Sequence, residues 1–205
     1  MIKNVIFDIG NVILKWDPLG YLAHHYTDYE QIEYYLNLVF WSQTWHDLDR
    51  GIMDYDQAAT VMTREVPERR ELVLKMLHEF HEYTLEPISS TEGIIRGLKA
   101  KGYHLYLLSN FMQTTFPIMQ RRSPVFAYFD GGIVSAYHKL LKPEDAIYQK
   151  LLSEYDLLPE ESVFIDDLEP NVTAAERNGI RSIQYRDYHS MLELLRLLQE
   201  EGAYE

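Results

Sequence analysis

Polar side chains stand where several apolar segments of this sequence end. Three of these segments read as buried strands, because they carry Val, Ile, Leu or Phe at consecutive positions. The residues at their ends are Asp8, Ser109, Asn110, Asp166 and Asp167, and a fourth segment is followed by Lys142. Together they supply three carboxylates, a hydroxyl, an amide and a cation.

This set of groups suits phosphoryl transfer. Clustered carboxylates repel one another and can bind a hard divalent cation such as Mg²⁺ through their oxygens. Lys142, Ser109 and Asn110 can donate hydrogen bonds to phosphoryl oxygens, and the bond from the lysine is charge-assisted. Asp8 can then attack phosphorus and form an aspartyl-phosphate, which water cleaves in a second step.

The order of the predicted elements brings these residues together. From residue 89 onward, helices alternate with strands, which predicts a parallel sheet with helices on both faces. Ligands of such sheets bind outside the carboxyl ends of the strands. We therefore expect an α/β, Rossmann-like core with the polar residues at one edge. The region from about 19 to 85 interrupts this order with helical spacing and no clear strand.

Local signals indicate where some helices begin. Asp54 with Gln57, and Ser89 with Glu92, have the spacing of a capping box. Pro143 is expected in the first turn of a helix, where its missing N–H costs no hydrogen bond.

Composition limits the classes of protein and partner. The chain has 205 residues, of which 46% are hydrophobic and 25% charged, as in an ordinary globular protein. Its net charge of −13 makes nucleic acid and anionic membranes poor partners. The absence of cysteine excludes disulfides and thiolate chemistry. No signal peptide or membrane-spanning stretch is recognisable, so we expect a cytoplasmic protein.

Four stretches resemble, in order, the motifs of haloacid dehalogenase superfamily hydrolases. They are "FDIGNV" with Asp8, "LLSN" with Ser109, "KLLKP" with Lys142 and "FIDD" with Asp166 and Asp167. The finer pattern is similar to the branch that contains α-D-glucose-1-phosphate phosphatase and the phosphatase domain of soluble epoxide hydrolase. The resemblance implies a Rossmann-like core at 1–16 plus 87–205 and an inserted helical cap at 17–86.

The resemblance also implies a role for each matching residue. Asp8 would be the nucleophile and Lys142 a second catalytic residue, and a small phosphorylated metabolite would be the substrate. Phosphate would be bound by Ser109, Asn110 and Lys142. Mg²⁺ would be bound by Asp8, the backbone of Gly10, Asp167 and, directly or through water, Asp166.

Gly10 is a departure from the family pattern. Related phosphatases usually carry a second aspartate there, which acts as general acid and base. Such catalysis is worth about 10²–10⁴-fold. We therefore expect a slower enzyme, a replacement donor from the cap, or a substrate with an acidic leaving group such as a sugar 1-phosphate. His46 is a candidate donor, although such a histidine is more often a partly exposed polar residue.

Two other functions are compatible with Gly10. A metal-independent 2-haloacid dehalogenase needs no proton donor, but the Asp166–Asp167 pair suits a cation, which that reaction does not use. A catalytically weak protein that binds phosphorylated metabolites as a regulator would also tolerate the glycine. A mutase is disfavoured, because it needs the missing acid.

Two features of the helical region have a simpler explanation. Asp47 and Asp49 have the spacing of a calcium loop, but Ile52 stands where an EF-hand requires glycine, so we exclude that site. Four aromatic residues could stack on a sugar, but such spacing is more typical of a core, and we expect them there. They are Tyr34, Tyr35, Trp41 and Trp45.

Overall fold

The computed structural model describes residues 1–201, and a parallel sheet forms the centre of the molecule. The strands are β1 (Asn4–Phe7), β2 (Leu14–Trp16), β3 (Leu85–Pro87), β4 (His104–Ser109), β5 (Gly131–Val134), β6 (Ser162–Asp166) and β7 (Arg181–Gln184). Five of them form one sheet in the order β5-β4-β1-β6-β7, in which all neighbours are parallel.

Helices occupy most of the remaining chain. They are α1 (Pro18–His25), α2 (Tyr29–Tyr35), α3 (Gln43–Arg50), α4 (Tyr55–Met62), α5 (Arg70–Glu79), α6 (His81–Thr84), α7 (Ser89–Ala100), α8 (Phe116–Arg122), α9 (Ser135–His138), α10 (Asp145–Glu154), α11 (Glu169–Arg177) and α12 (Tyr188–Glu200). A π-helical turn, Leu36–Phe40, follows α2. None of the helices within residues 1–201 has both the length and the apolar character that a bilayer crossing requires.

Both faces of the sheet are buried under helices. Val5 and Phe7 of β1 belong to a core cluster that also contains residues of α7 and α12. Ile6, which points to the opposite face, packs in a second cluster with residues of α10 and α11. The predicted α/β, Rossmann-like core is therefore confirmed.

The strand register sets the position of the polar residues. Phe7 of β1 is aligned with Leu107 of β4 and with Ile165 of β6. Because these strands are parallel, the residues at their carboxyl ends lie at the same edge of the sheet. Asp8 and Asp166 therefore lie side by side, although they are far apart in the chain.

A short antiparallel ribbon joins the two ends of the helical region. β2 pairs with β3, with Trp16 opposite Leu85, so the chain enters and leaves helices α1 to α6 at one place. The sequence pattern did not predict this ribbon, since three-residue strands show too few alternations. The proposed cap at 17–86 begins and ends at this ribbon.

The predicted helix starts had different outcomes. The capping box of α4 is confirmed, because Asp54 and Gln57 each accept a hydrogen bond from the other's backbone N–H. The box at Ser89 is wrong, because Ser89 is already the first helical residue and makes no capping bond. The position of Pro143 is also wrong. It follows a cis peptide bond and precedes α10 in a loop that is held by contacts with the core.

Gly51 lets the end of α3 approach the core. Its φ is +74°, and an added Cβ would collide with the backbone carbonyl oxygen of Ala136. Gly102 also has a positive φ, +88°, but open space around it. Both Gly→Ala changes force alanine into the left-handed region, at about 1–2 kcal/mol. We expect Gly51→Ala to lower the free energy of unfolding clearly more than Gly102→Ala does. Urea unfolding measures both, and equal losses would contradict the close contact.

Candidate active site

A buried lysine lies between two carboxylates at the carboxyl edge of the sheet. Lys142 Nζ is 2.8 Å from Asp8 Oδ1 and 2.5 Å from Asp166 Oδ2. All three side chains are almost completely buried. Charges at this separation interact more strongly in the interior than in water. Lys142 therefore fixes the orientation of both carboxylates.

The electrostatics of this triad place Asp8 close to a protonation change at neutral pH. Burial raises the pKa of Asp8 to about 7; Lys142 opposes this rise and Asp166 adds to it. Burial alone would lower the pKa of Lys142, but Asp166 and Asp8 outweigh it and hold the value above the ordinary one. The lysine is therefore charged, and additional positive charge near Asp8 would favour its nucleophilic carboxylate form.

The two neighbouring acids at the end of β6 have different partners. Asp166 accepts hydrogen bonds from the backbone N–H of Leu168 and from the amide of Asn171, besides its contact with Lys142. Asp167 is only partly buried and lines the cavity described below. Asp166 thus holds the lysine in place, while Asp167 is the more open of the two to a ligand.

The acids form a cluster that fits a hard divalent cation. Asp8, Asp166 and Asp167 each offer an oxygen, and these oxygens lie within 4.8 Å of one another. Burial also raises the pKa of Asp167, because it disfavours the charged carboxylate. An all-oxygen donor set of this kind suits Mg²⁺. Gly10 lines the same cavity, where its backbone carbonyl can contribute a further oxygen.

Neither the backbone conformation nor a close contact requires glycine at position 10. Its φ is not in the left-handed region, and an added Cβ would have no heavy atom within 4 Å. The space that the missing side chain would fill is therefore open.

The residues at the carboxyl end of β4, Ser109 and Asn110, support the triad in two ways. The Ser109 hydroxyl donates a hydrogen bond to Asp8, which acts against the rise of the Asp8 pKa. Asn110 Oδ1 accepts from the backbone N–H of Lys142 at 2.8 Å, and Asn110 Nδ2 donates to its carbonyl at 3.0 Å. Asn110 therefore holds the loop that presents Lys142. The phosphate-binding roles of Ser109 and Asn110 stay predictions.

Asn11 is a supporting residue that the sequence pattern did not single out. Its φ is +53°, a conformation that asparagine tolerates better than most residues. Its amide donates to Asp167 Oδ2 at 2.9 Å, and its oxygen accepts from the backbone N–H of Trp16. Asn11 thus links the acidic cluster to β2. The only sequence signal was an asparagine in a Gly-Asn turn.

The acidic edge opens into a cavity of about 340 Å³. Its lining includes a group of polar and charged residues, here called the floor: Asp8, Ser109, Lys142 and Asp167. It also includes an aromatic wall, which consists of Trp16, Phe40, Trp45 and Phe80. Neighbouring rings of the wall have centroids 5.0–6.4 Å apart. The cavity therefore combines a charged floor with an apolar side.

The prediction that the aromatic residues of this region form core is partly wrong. Tyr35 and Trp45 are buried, but Trp41 is 56% exposed and lines the cavity. The π-helical turn before Trp41 changes the helical period, so spacing alone misplaces the residue that follows it. His46 is exposed and also lines the cavity, and its role as a donor stays a prediction.

A further acid, Asp49 of α3, lines the same cavity. Burial and the negative charge of Asp8 raise the pKa of Asp49 to about 8, although Lys142 and a hydrogen bond from Trp45 act against this rise. These influences favour the protonated form of Asp49. The sequence pattern gave no functional signal for it beyond the excluded calcium loop.

Comparison with known proteins identifies the family. The family model of haloacid dehalogenase-like hydrolases matches residues 5–185. A sesquiterpene phosphatase of Aspergillus oryzae is 25% identical, over 90% of each chain. A D-ribitol-5-phosphate phosphatase of Bacteroides thetaiotaomicron is 28% identical, over 90% of this chain and 92% of its own.

The solved structures agree with the fold. A haloacid dehalogenase family enzyme from Bacteroides thetaiotaomicron, crystallised with magnesium and inorganic phosphate, superposes with a TM-score of 0.69. It is 19% identical, and the match covers 91% of this chain and 95% of that one. With the family match over most of its length, the chain belongs to the haloacid dehalogenase-like hydrolases.

Proposed function

We propose that this hydrolase is a Mg²⁺-dependent phosphatase of small phosphorylated metabolites that forms an aspartyl-phosphate on Asp8. The observation that carries the proposal is that Asp8, Lys142 and Asp167 line one cavity, while Asp166 contacts Lys142 and completes the acidic cluster. Two relatives that are named phosphatases, and that this chain matches over nearly their full length, support it.

Each residue of the floor has a task in this reaction. Asp8 attacks phosphorus, while Lys142 and Ser109 donate hydrogen bonds to the phosphoryl oxygens and Asp166 keeps the lysine in position. Asp8, the Gly10 carbonyl and Asp167 would hold Mg²⁺, with Asp166 as a direct or water-mediated ligand. The bound cation would supply positive charge that lets an anionic substrate approach an anionic nucleophile.

Two classes of leaving group are compatible with the cavity. Sugar 1-phosphates fit the absence of an acid at Gly10, because their anomeric oxygen leaves more easily than the oxygen of a simple alcohol. The D-ribitol-5-phosphate phosphatase supports a polyol phosphate. The aromatic wall and the sesquiterpene phosphatase favour an apolar organic group instead.

A substrate panel tests the proposal. Phosphate release from sugar, polyol, terpenyl and aryl phosphates is measured with Mg²⁺ and with EDTA. We expect turnover that EDTA abolishes. Halide release from 2-haloacids that persists in EDTA would establish a dehalogenase. Binding of a phosphorylated compound without any product would establish a regulatory protein instead.

Mg²⁺ should also stabilise the folded protein without any substrate. A ligand at 100 times its Kd adds about 2.7 kcal/mol to the free energy of unfolding. We expect Mg²⁺ to raise the melting temperature, and Asp167→Asn to remove most of this rise. Asp47→Asn is the matched control, because it removes an acid of α3 that does not line the cavity. An equal rise in all three proteins, at matched ionic strength, would argue against this cation site.

A further inference from the structure

Resting on the proposed phosphatase function, we propose that Asp49 is the catalytic acid and base that replaces the side chain missing at Gly10. As an acid, it would protonate the leaving oxygen when Asp8 attacks phosphorus. As a base, it would then accept a proton from the water that cleaves the aspartyl-phosphate.

The backbone of Asp49 is tied to the core. The Ser135 hydroxyl donates to the Asp49 carbonyl oxygen at 2.5 Å and accepts from the backbone N–H of Phe111 at 2.9 Å. Ser135 follows β5 and Phe111 follows β4, so α3 is connected to the loops that border the floor of the cavity. Asp49 therefore has a defined position relative to Asp8, although it belongs to the helical region.

Neighbouring contacts strengthen this attachment. Arg50 forms an ion pair with Glu144, which stands just before α10 and close to Lys142 in the chain. Gly51 allows close contact with the backbone of Ala136. Three consecutive residues of the helical region thus contact the core beside the catalytic floor.

The side chain of Asp49 lies in the right surroundings for an acid. It lines the cavity together with Asp8, Gly10 and Lys142, and it interacts electrostatically with Asp8. Trp45, one turn earlier on α3, donates its indole N–H to the carboxyl group and also forms part of the aromatic wall. The wall and the nearby negative charge favour the neutral, proton-donating form.

The other cavity acids already have tasks. Asp8 is paired with Lys142, and Asp167 accepts from Asn11 and belongs to the acidic cluster. His46 is a weaker candidate, because it is exposed to solvent. Asp49 is the cavity acid that forms no ion pair with a lysine and does not belong to the acidic cluster, among the residues that the structure describes.

Every bond and proton is accounted for in the two steps. In the first, a bond forms between Asp8 Oδ and phosphorus, the bond from phosphorus to the leaving oxygen breaks, and that oxygen takes the proton of Asp49. In the second, water attacks phosphorus and gives a proton to the Asp49 carboxylate, and the bond to Asp8 breaks. Inorganic phosphate leaves, and both acids return to their starting states.

Asp49→Asn tests the acid role through the leaving group. We expect the first-turnover rate with an alkyl or sugar phosphate to fall by about 10²–10⁴-fold. With p-nitrophenyl phosphate, whose phenolate leaves without a proton, the first-turnover burst should change by less than about tenfold, and the phosphoenzyme should then accumulate because the base is missing. Asp47→Asn, on the same helix, should behave like the wild type. The proposal would be overturned if Asp49→Asn lowered the first-turnover rates with both kinds of substrate by the same factor, or lowered neither rate.

The open space at Gly10 provides a rescue experiment. Adding Gly10→Asp to Asp49→Asn should raise the first-turnover rate with alkyl phosphates at least about tenfold over that of Asp49→Asn alone, since an acid is worth about 10²–10⁴-fold. Gly10→Asn in the same background is the matched control and should restore nothing. No gain with aspartate, or an equal gain with asparagine, would count against the proposal.

Failure of this proposal can be told apart from failure of the proposed function. If the wild type releases no phosphate from any substrate and traps no phosphoenzyme, the phosphatase function itself is wrong. If the wild type is active and Asp8→Asn is inactive, but Asp49→Asn matches Asp47→Asn, only the role of Asp49 is wrong.

Discussion

Asp8→Asn is expected to lose at least about 10³-fold in turnover number with every phosphate ester, because it removes the nucleophile. The amide that replaces the carboxylate has nearly the same shape, so packing around β1 is kept. Lys142 retains its contact with Asp166, which leaves the buried cation paired. The loss should therefore be one of chemistry rather than of folding.

Two measurements check this expectation. Steady-state phosphate release gives the loss in turnover, and acid quenching followed by mass spectrometry shows whether a phosphorylated peptide containing residue 8 forms. The wild type should yield that peptide and the variant should not. Turnover that persists in Asp8→Asn would exclude the covalent mechanism.

Lys142→Met is expected to lower the free energy of unfolding by about 3–5 kcal/mol, the usual effect of removing one partner from a buried ion pair. The change leaves Asp8 and Asp166 facing each other without the cation that separates them. Activity should fall as well, because a phosphate-binding cation is lost with it.

The pH dependence gives this prediction a second test. Burial already raises the pKa of Asp8 to about 7, and removal of Lys142 takes away the main influence that lowers it. A carboxyl group whose pKa is higher in the folded than in the unfolded protein stabilises the fold at low pH, and this stabilisation is lost as pH rises through the folded value. The destabilisation by Lys142→Met should therefore shrink as pH falls from about 8 to about 5.

Lys139→Met is the control for that experiment. Lys139 is an exposed lysine three residues earlier in the same segment, so its replacement should change the free energy of unfolding by less than about 0.5 kcal/mol. Urea unfolding at several pH values compares the two variants. Similar small effects of both would show that the buried triad contributes little to stability.

The proposed role of Asp49 gives the helical region a part in the chemistry as well as in covering the site. A cap that only covered the site would need no fixed attachment beside the floor. Here the end of α3 is held by Ser135, by the ion pair of Arg50 and by the close contact at Gly51. Such an attachment is what a proton donor requires, since proton transfer depends on hydrogen-bond distance to the reacting oxygen.

The sequence by itself determined the core and the residues at its edge. Short apolar runs indicated buried strands, and their alternation with helices indicated a parallel sheet. From there, one rule about the carboxyl ends of parallel strands was enough to place Asp8 beside Asp166. That rule works because the register of a parallel sheet brings the ends of distant segments to the same edge.

Only the tertiary structure decided which side chains support that edge and which face it from the helical region. Three such features join segments that no local sequence pattern relates. They are the hydrogen bonds between Asn110 and Lys142, the hydrogen bond from Asn11 to Asp167, and the position of Asp49 in the cavity. Helical spacing shows which side of α3 is apolar, but not what that helix packs against. The position of Asp49 depends on the docking of α3 on the loops after β4 and β5, and such long-range packing leaves no period in the sequence.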